Sequence, residues 1–237
     1  MLFSWLNIRL YITLILVSTL FFSATKKNMF RPVFLSEINF NDNKEIYITK
    51  DSVKNYLDMI VDSIGISLNS NYLNLFEKKL QTNKLIKSPQ LFITPNSKLI
   101  INVHQKIPIA RFADNTRYLD YDGNIMPKSK IYSANVPVIF GANDFSEIKS
   151  FHKILKFINN DDFLKNIVSK IELNDLNKFS IKIYGLDAQI NIGTADNLVT
   201  KISNFKAFYN KASNDKTINK YKLINLQFEN QVVCVNK

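Results

Sequence analysis

The chain is poor in the residues that build most catalytic, metal and phosphate sites. Its 237 residues include one cysteine, Cys234, two histidines, His104 and His152, and five glycines. One cysteine excludes an intrachain disulfide, and neither histidine has metal-ligand spacing to the other or to the cysteine. Five glycines leave little room for a phosphate-cradling loop, and the Gly-x-Ser-x-Gly nucleophile motif is absent. We therefore expect a binding protein rather than an enzyme, with no metal site and no cofactor.

The charge balance is strongly basic, but arginine is scarce. Lysine and arginine together number 31 against 20 acidic residues, the formal net charge is +11, and only four of the 31 are arginine. Arginine grips phosphate through paired hydrogen bonds, whereas lysine is a hydrated point charge. The thirty asparagines are typical of an AT-rich coding bias. These features favour a solvated, lysine-rich surface, and we expect neither a nucleic-acid partner nor a small-molecule substrate.

A long apolar run opens the chain. Leu2 to Ala24 spans 23 residues, and a helix needs about 20 to cross the hydrocarbon core of a bilayer. We predict a short tail and a transmembrane anchor at residues 1–24, followed by a linker at 25–34. A buried core helix and a cleaved signal peptide are the alternatives, although bulky Phe22 fits a cleavage site poorly. The residues expected in the anchor are Leu10, Ile12, Leu14, Ile15, Leu16, Val17, Leu20, Phe21 and Phe22.

The charges that flank this span do not fix its orientation. Arg9 and the amino terminus precede the span, and Lys26, Lys27 and Arg31 follow it. The positive-inside rule alone would place the bulk of the chain in the cytoplasm, but long domains are translocated largely regardless of flanking charge. Residue pattern therefore leaves both orientations open.

The region after the linker alternates between strand and helix patterns. A strand at FLSEINF is followed by a helix with Thr49 as its N-cap. A second helix is predicted to begin at Asn74, with Glu77 reaching back to complete a capping box. Two further strands flank a turn at Pro95-Asn96-Ser97. The order strand, helix, helix, strand, strand predicts a small module with helices on one face of a sheet.

Two aspartates, Asp120 and Asp122, stand beside Gly123 and raise the question of an acidic site. A calcium loop would need further acids at alternate positions and glycine in sixth place. Gly123 is fourth counting from Asp120, and no third acid follows. Asp-Gly is instead among the most favourable two-residue hairpin turns. We therefore predict a turn at Asp122-Gly123 and no metal site.

The remaining residues predict helices packed on a mostly antiparallel sheet. A helix is expected near Ser146, its possible N-cap, and Asp161-Asp162 resembles another helix cap. Strands follow at KIEL, FSIKIY and AQINIG, and an amphipathic helix covers LVTKISNFKAFYNKA. The tail holds two strand-like runs around Glu229-Asn230, or one long strand with a bulge there. A terminal strand at a sheet edge could accept a partner strand, whereas an interior strand could not.

Three stretches carry a family resemblance: IKSPQLFITPNSKLIINVHQKIPIARF, RYLDYDGNIMPKSKIYSANVPVIFG, and the tail FKAFYNKA…YKLINLQFENQVVCVNK. In their order and spacing they resemble the cell-division family FtsQ/DivIB, in the form found in Bacteroidetes such as flavobacteria. The likeness runs from about Leu35 to the end of the chain. It implies an α+β protein with an N-terminal transmembrane helix, a POTRA domain at 35–111 and a β domain at 112–237.

The resemblance also implies a function. Members are non-enzymatic, single-pass inner-membrane proteins with a short cytoplasmic tail at the N-terminus and their bulk in the periplasm at the division septum. They act as divisome scaffolds that link FtsB and FtsL to septal peptidoglycan synthesis proteins, and the last strands of the β domain take up FtsB by strand addition. A periplasmic POTRA protein of transport or outer-membrane assembly is the alternative, and an anchored cell-wall hydrolase is a third hypothesis. On this chain the implied contact residues are Asn225, Leu226, Gln227, Phe228, Glu229, Gln231, Val232 and Val233.

Overall fold

A computed structural model gives the structure of the protein and describes residues 5–29, 33–41, 44–64, 72–142, 144–174, 176–228 and 231–237. The fold is α+β, with one apolar helix at the N-terminus and a large mixed sheet. The chain forms two compact units, Met1–Gln105 and Lys106–Lys237. The expected bounds of the linker, the POTRA domain and the β domain stay predictions.

Helix α1 (Trp5–Met29) contains the expected anchor. Its stretch Asn7–Lys26 is 20 residues long and has a mean hydropathy of 1.7, which is long and apolar enough to cross a bilayer. None of this stretch is buried, and exposure of the nine anchor side chains runs from 56% for Leu16 to 72% for Phe21. A core helix would bury one face, so that alternative is wrong. The helix is compatible with a single-pass membrane anchor.

The N-terminal unit has the predicted order of one strand, two helices and two strands. Its elements are β1 (Phe34–Phe40), α2 (Lys50–Ile64), α3 (Leu73–Leu80), β2 (Ile86–Ile93) and β3 (Lys98–Gln105). The sheet has the order β1-β3-β2, with β1 parallel and β2 antiparallel to β3. Because side chains alternate across a strand, β3 presents one apolar face to the helices. The shared core includes Val53, Leu57, Phe76, Leu80, Leu99, Ile101 and Val103.

The helix starts of this unit follow the predictions only in part. Thr49 caps α2 as predicted, because its Oγ1 accepts a hydrogen bond from the Ser52 N–H at 3.1 Å. The predicted capping box at Asn74 is wrong. Helix α3 begins at Leu73 without a side-chain cap, and the Glu77 carboxylate accepts a hydrogen bond from β2 instead.

The C-terminal unit is built on a nine-stranded sheet with the order β12-β11-β10-β9-β8-β7-β4-β5-β6. A short 3-10 helix precedes the last two strands. The elements are β4 (Pro108–Phe112), β5 (Arg117–Asp120), β6 (Ile125–Pro127), β7 (Val138–Phe140), α4 (Phe145–Asn159), α5 (Leu164–Ile167), β8 (Val168–Leu173), β9 (Phe179–Ile183), β10 (Gln189–Gly193), α6 (Leu198–Asn214), β11 (Tyr221–Asn225) and β12 (Val233–Asn236).

This sheet is mixed. Strands β4 and β7, β7 and β8, and β10 and β11 pair in parallel, and the other neighbouring pairs are antiparallel. Parallel neighbours need a long connection, usually helical. Helices α4 and α5 supply it between β7 and β8, and α6 supplies it between β10 and β11. The predicted antiparallel majority is present, but the helical crossovers make the sheet mixed.

One row of side chains shows the register of the sheet. The row consists of directly paired residues on six neighbouring strands, and its side chains lie on one face of the sheet. All of them are fully buried except Cys234 on β12. Helices α4 and α6 pack against this face, with Phe151 and Phe205 completely buried in the same core. Burial of apolar area is the main term that stabilises such a layer. The row consists of Ile139, Ile171, Ile181, Ile190, Ile224 and Cys234.

The cap of α4 lies two residues before the predicted one. Asp144, not Ser146, is the N-cap: its carboxylate accepts a hydrogen bond from the Glu147 N–H, and the Glu147 side chain accepts one from the Asp144 N–H. Ser146 donates its hydroxyl to the Asp144 carboxylate at 2.8 Å. This capping box satisfies N–H groups that the first helical turn would otherwise leave unpaired.

The hairpin turn beside Gly123 is longer than predicted. Strand β5 ends at Asp120 and β6 begins at Ile125, so four residues connect the strands. Gly123 has a φ of +86°, a conformation that favours glycine. The φ of Asp122 is not positive, so the predicted two-residue turn is wrong.

Candidate partner-binding edge of the C-terminal sheet

Strand β12 is one edge of the nine-stranded sheet. Its residues pair antiparallel with β11, with Leu223 opposite Val235, Ile224 opposite Cys234 and Asn225 opposite Val233. The sheet order places β11 on one flank, and no described strand lies on the other. Of the two alternatives for the tail, the structure therefore has two strands rather than one bulged strand. The outer flank of β12 has backbone groups that can pair with an added strand.

Strand β12 is short, at four residues, but its composition does not protect it as an edge. Its sequence VCVN has no proline and no charge, and Val233 and Val235 are 39% and 41% exposed. The opposite edge, β6, is three residues long and ends in Pro127. Natural edges are blunted by shortness, proline, lysine or bulges. Strand β12 is therefore the more accessible edge of this sheet.

A cavity of about 330 Å³ lies beside the segment that leads into β12. Gln227 and Phe228 line it together with the loop after β10 and the first turns of α6. Lys201 Nζ donates to the Thr194 carbonyl oxygen at 2.9 Å. Burial lowers the pKa of Lys201, and the Asp196 carboxylate opposes that effect. The cavity therefore combines a partly desolvated cation with the exposed ring of Phe228.

Cys234 lies between the exposed residues Val233 and Val235 on β12, and its side chain is on the opposite face of the strand. It is half-buried and packs against the core. Burial raises the pKa of the Cys234 thiol, which disfavours the reactive thiolate at neutral pH. Its contribution to the edge is apolar packing rather than chemistry.

The sheet that carries this edge matches a known family. The family model described as "FtsQ/DivIB, C-terminal related" matches residues 107–235, which is more than half of the chain and runs from β4 into β12. The chain belongs to the FtsQ/DivIB family. This family has a role in cell division and is generally non-enzymatic. A search of curated proteins found no significant match.

The contact residues implied by the FtsQ/DivIB resemblance occupy different environments. Asn225 ends β11 and accepts a hydrogen bond from the Gln227 N–H at 3.0 Å. Leu226 is 1% exposed, and its N–H donates to Asn191 on β10. Phe228 is 47% exposed. Leu226 is thus a core residue, whereas Phe228 is available to a partner.

The remaining implied residues lead into the edge strand itself. Gln231 is exposed, Val232 is half-buried against the core, and Val233 is the first residue of β12. Glu229 lies outside the described residues. Val235 was missing from the implied set, although β12 continues to Asn236. The continuous apolar run VVCV at residues 232–235 was the signal that could have extended the set to Val235.

Neither histidine belongs to a potential metal site among the side chains that the structure describes. His104 is half-buried on β3. His152 is half-buried, and its Nε2 donates to the Tyr121 carbonyl oxygen at 2.9 Å. Within the described ranges, no three His, Cys, Asp or Glu side chains are grouped so that they could hold a metal ion.

Proposed function

We propose that this FtsQ/DivIB protein is a membrane-tethered, non-enzymatic scaffold of the division machinery, and that β12 accepts a strand of FtsB. The observation that supports this proposal most directly is the outer flank of β12, which no described strand covers and which lies in the segment that matches the family. FtsL and the septal peptidoglycan synthesis proteins would be linked through this complex. The same proposal places the protein in the inner membrane at the septum, with its bulk in the periplasm and residues 35–111 forming a POTRA domain.

Strand addition explains why a short apolar edge can be a specific site. Main-chain hydrogen bonds supply affinity, and contacts with alternate side chains supply specificity. Val233 and Val235 lie on one face of β12, and Cys234 lies on the other. A partner strand would therefore place one set of side chains beside the exposed valines and the other beside the half-buried Cys234.

Co-purification of the full chain with FtsB tests the proposal. We expect Val233→Lys to weaken FtsB capture strongly, because lysine on an edge strand disfavours strand pairing. Phe228→Lys should weaken it through loss of an exposed aromatic contact. Leu176→Lys is the matched control, since Leu176 is 75% exposed but lies in the β8–β9 turn. Undiminished capture by Val233→Lys would refute strand addition at β12.

A further inference from the structure

Strand β2 is an edge of the other sheet, and its outward positions can be identified. The Thr94 N–H donates to the Lys98 carbonyl oxygen at 2.9 Å, which makes these residues a hydrogen-bonded pair at the hairpin end of β2 and β3. In an antiparallel pair the backbone groups of alternate residues point toward the partner strand. Even-numbered residues from Ser88 onward therefore face β3, and Pro89, Leu91 and Ile93 face outward.

Two of these three outward positions have no N–H to offer another strand. Pro89 has no N–H at all. The Leu91 N–H donates to Glu77 Oε1 at 2.6 Å. The carbonyl group of Lys87, near the start of β2, is also occupied, because Gln81 Nε2 donates to its oxygen at 3.3 Å. The protein's own side chains thus take the place that an added strand would occupy.

Helix α3 holds these side chains in position. Phe76 and Leu80 are completely buried in the core of the N-terminal unit. Glu77 follows Phe76, and Gln81 follows Leu80, so the two polar side chains are four residues apart on the same side of the helix. Burial of Phe76 and Leu80 holds α3 in place. The helix in turn positions Glu77 and Gln81 to bind the backbone of β2.

We infer that Glu77 blocks strand addition at β2, so that the N-terminal unit does not accept a partner strand or a second copy of this chain at that edge. Covering or occupying an edge is a known way to prevent unwanted pairing. Strand β12 has no comparable occupant among the described residues. The two edges thus differ: the outer flank of β12 is open to an extended segment, whereas the outer flank of β2 is occupied by the protein's own side chains.

The test uses the full chain in detergent micelles and a photoreactive synthetic peptide that copies β3, KLIINVHQ. Glu77→Ala removes the acceptor, Glu77→Asp shortens it, and Glu77→Gln keeps an oxygen at the same reach. We expect amide exchange at Leu91 to accelerate about tenfold in Glu77→Ala, as for the loss of one hydrogen bond. Peptide cross-links to residues 86–93 should appear in Glu77→Ala and Glu77→Asp but not in the wild type or Glu77→Gln.

The controls distinguish loss of the Glu77–Leu91 hydrogen bond from unfolding of the N-terminal unit. Amide exchange of Ile101 in β3 reports on the core, and cross-links near β12 report on the other sheet. If Glu77→Ala also accelerates exchange at Ile101, the comparison rests on Glu77→Asp, which keeps the charge. Equal cross-linking of β2 in the wild type and Glu77→Asp would overturn the inference. Because the two edges lie on different sheets, this result is independent of whether FtsB binds β12.

Discussion

Asp120 is the one buried carboxylate among the described residues, at 1% exposure. Its Oδ1 accepts hydrogen bonds from the N–H groups of Asp122 and Asn124 at 3.0 and 2.7 Å. Its Oδ2 lies 2.9 Å from Lys106 Nζ. Sequence pattern predicted a turn here but not the role of Asp120, because Lys106 is brought near only when β4 pairs with β5. These contacts are structural and explain an acidic cluster without a metal.

Replacing Asp120 tests that role. Asp120→Ala should lower the free energy of unfolding by about 2–4 kcal/mol, since it removes two turn hydrogen bonds and leaves the mostly buried Lys106 ammonium unpaired. Asp120→Asn retains an oxygen acceptor and should cost less than half as much. Urea denaturation followed by circular dichroism measures both. Equal losses for the two variants would contradict a turn-organising role.

Asp161 has a perturbed acidity with a clear structural origin. Burial alone would raise the pKa of Asp161, but hydrogen bonds from the Lys206 ammonium and the Leu164 N–H outweigh it and hold the pKa below its ordinary value. Asp161 Oδ1 accepts hydrogen bonds from the Phe163 and Leu164 N–H groups at 3.1 and 3.0 Å. Asp161 thus accepts hydrogen bonds from N–H groups at the start of α5, although the N-cap position itself is Phe163. Its contact with α6 through Lys206 could not be predicted from local sequence.

This pKa shift predicts a pH dependence of stability. The folded-state pKa of Asp161 is lower than its unfolded value of about 4, so its contribution is complete above that value and is lost as pH falls through the folded pKa. We expect the stability gap between wild type and Asp161→Asn to narrow below about pH 4. Thermal unfolding at pH 6 and pH 3 measures the gap. A gap that stays constant would contradict the assigned shift.

At the scale of elements, periodicity predicted more than capping did. The predicted strand at FLSEINF is β1, and the amphipathic pattern LVTKISNFKAFYNKA is α6. Strand alternation and helical spacing of apolar residues are reliable signals because they reflect which face of an element packs against the core. The Ser146 cap prediction failed because the Ser146 hydroxyl donates to the Asp144 carboxylate, and the capping box at Asn74 failed because Glu77 has another partner. Glu77 bonds across to β2, a choice that depends on tertiary structure.

The two neighbouring valines at the start of β12 give a test at this scale. Val232 packs against the core, whereas Val233 is 39% exposed. Val232→Asp should destabilise the C-terminal unit by about 1–3 kcal/mol, because it places a charge against apolar side chains. Val233→Asp should change stability by less than about 0.5 kcal/mol and still weaken FtsB capture. Melting temperatures and co-purification distinguish the two effects, and similar melting losses would contradict the assigned environments.

At the scale of the whole molecule, the sequence predicted an anchor and two folded regions in series. The apolar helix could be predicted because a bilayer-spanning segment requires a length and apolarity that few soluble segments combine. The sheet to which β4 belongs could not be predicted from its pattern, which is the same whether it closes the first sheet or joins the second. The structure places it in the second. Membrane orientation depends on translocation rather than on the folded chain, so neither pattern nor fold predicts it.

Anchoring itself is testable. We expect the full chain to stay in the membrane pellet after alkaline carbonate extraction. Leu14→Arg combined with Leu16→Arg should release it, since each arginine at a helix centre costs about 2.5–3.5 kcal/mol of insertion free energy. The N-terminal sequence of the membrane-bound protein provides the control. A mature chain that begins near Thr25 and is fully soluble would instead identify a cleaved signal peptide.

The most direct test of the central claim is amide hydrogen exchange of the full chain in micelles, with and without FtsB. The account predicts that FtsB slows exchange in β12, at residues 233–236, while β2 at residues 86–93 is unchanged. Protection confined to other elements, with β12 exchanging at its free rate in the complex, would contradict it.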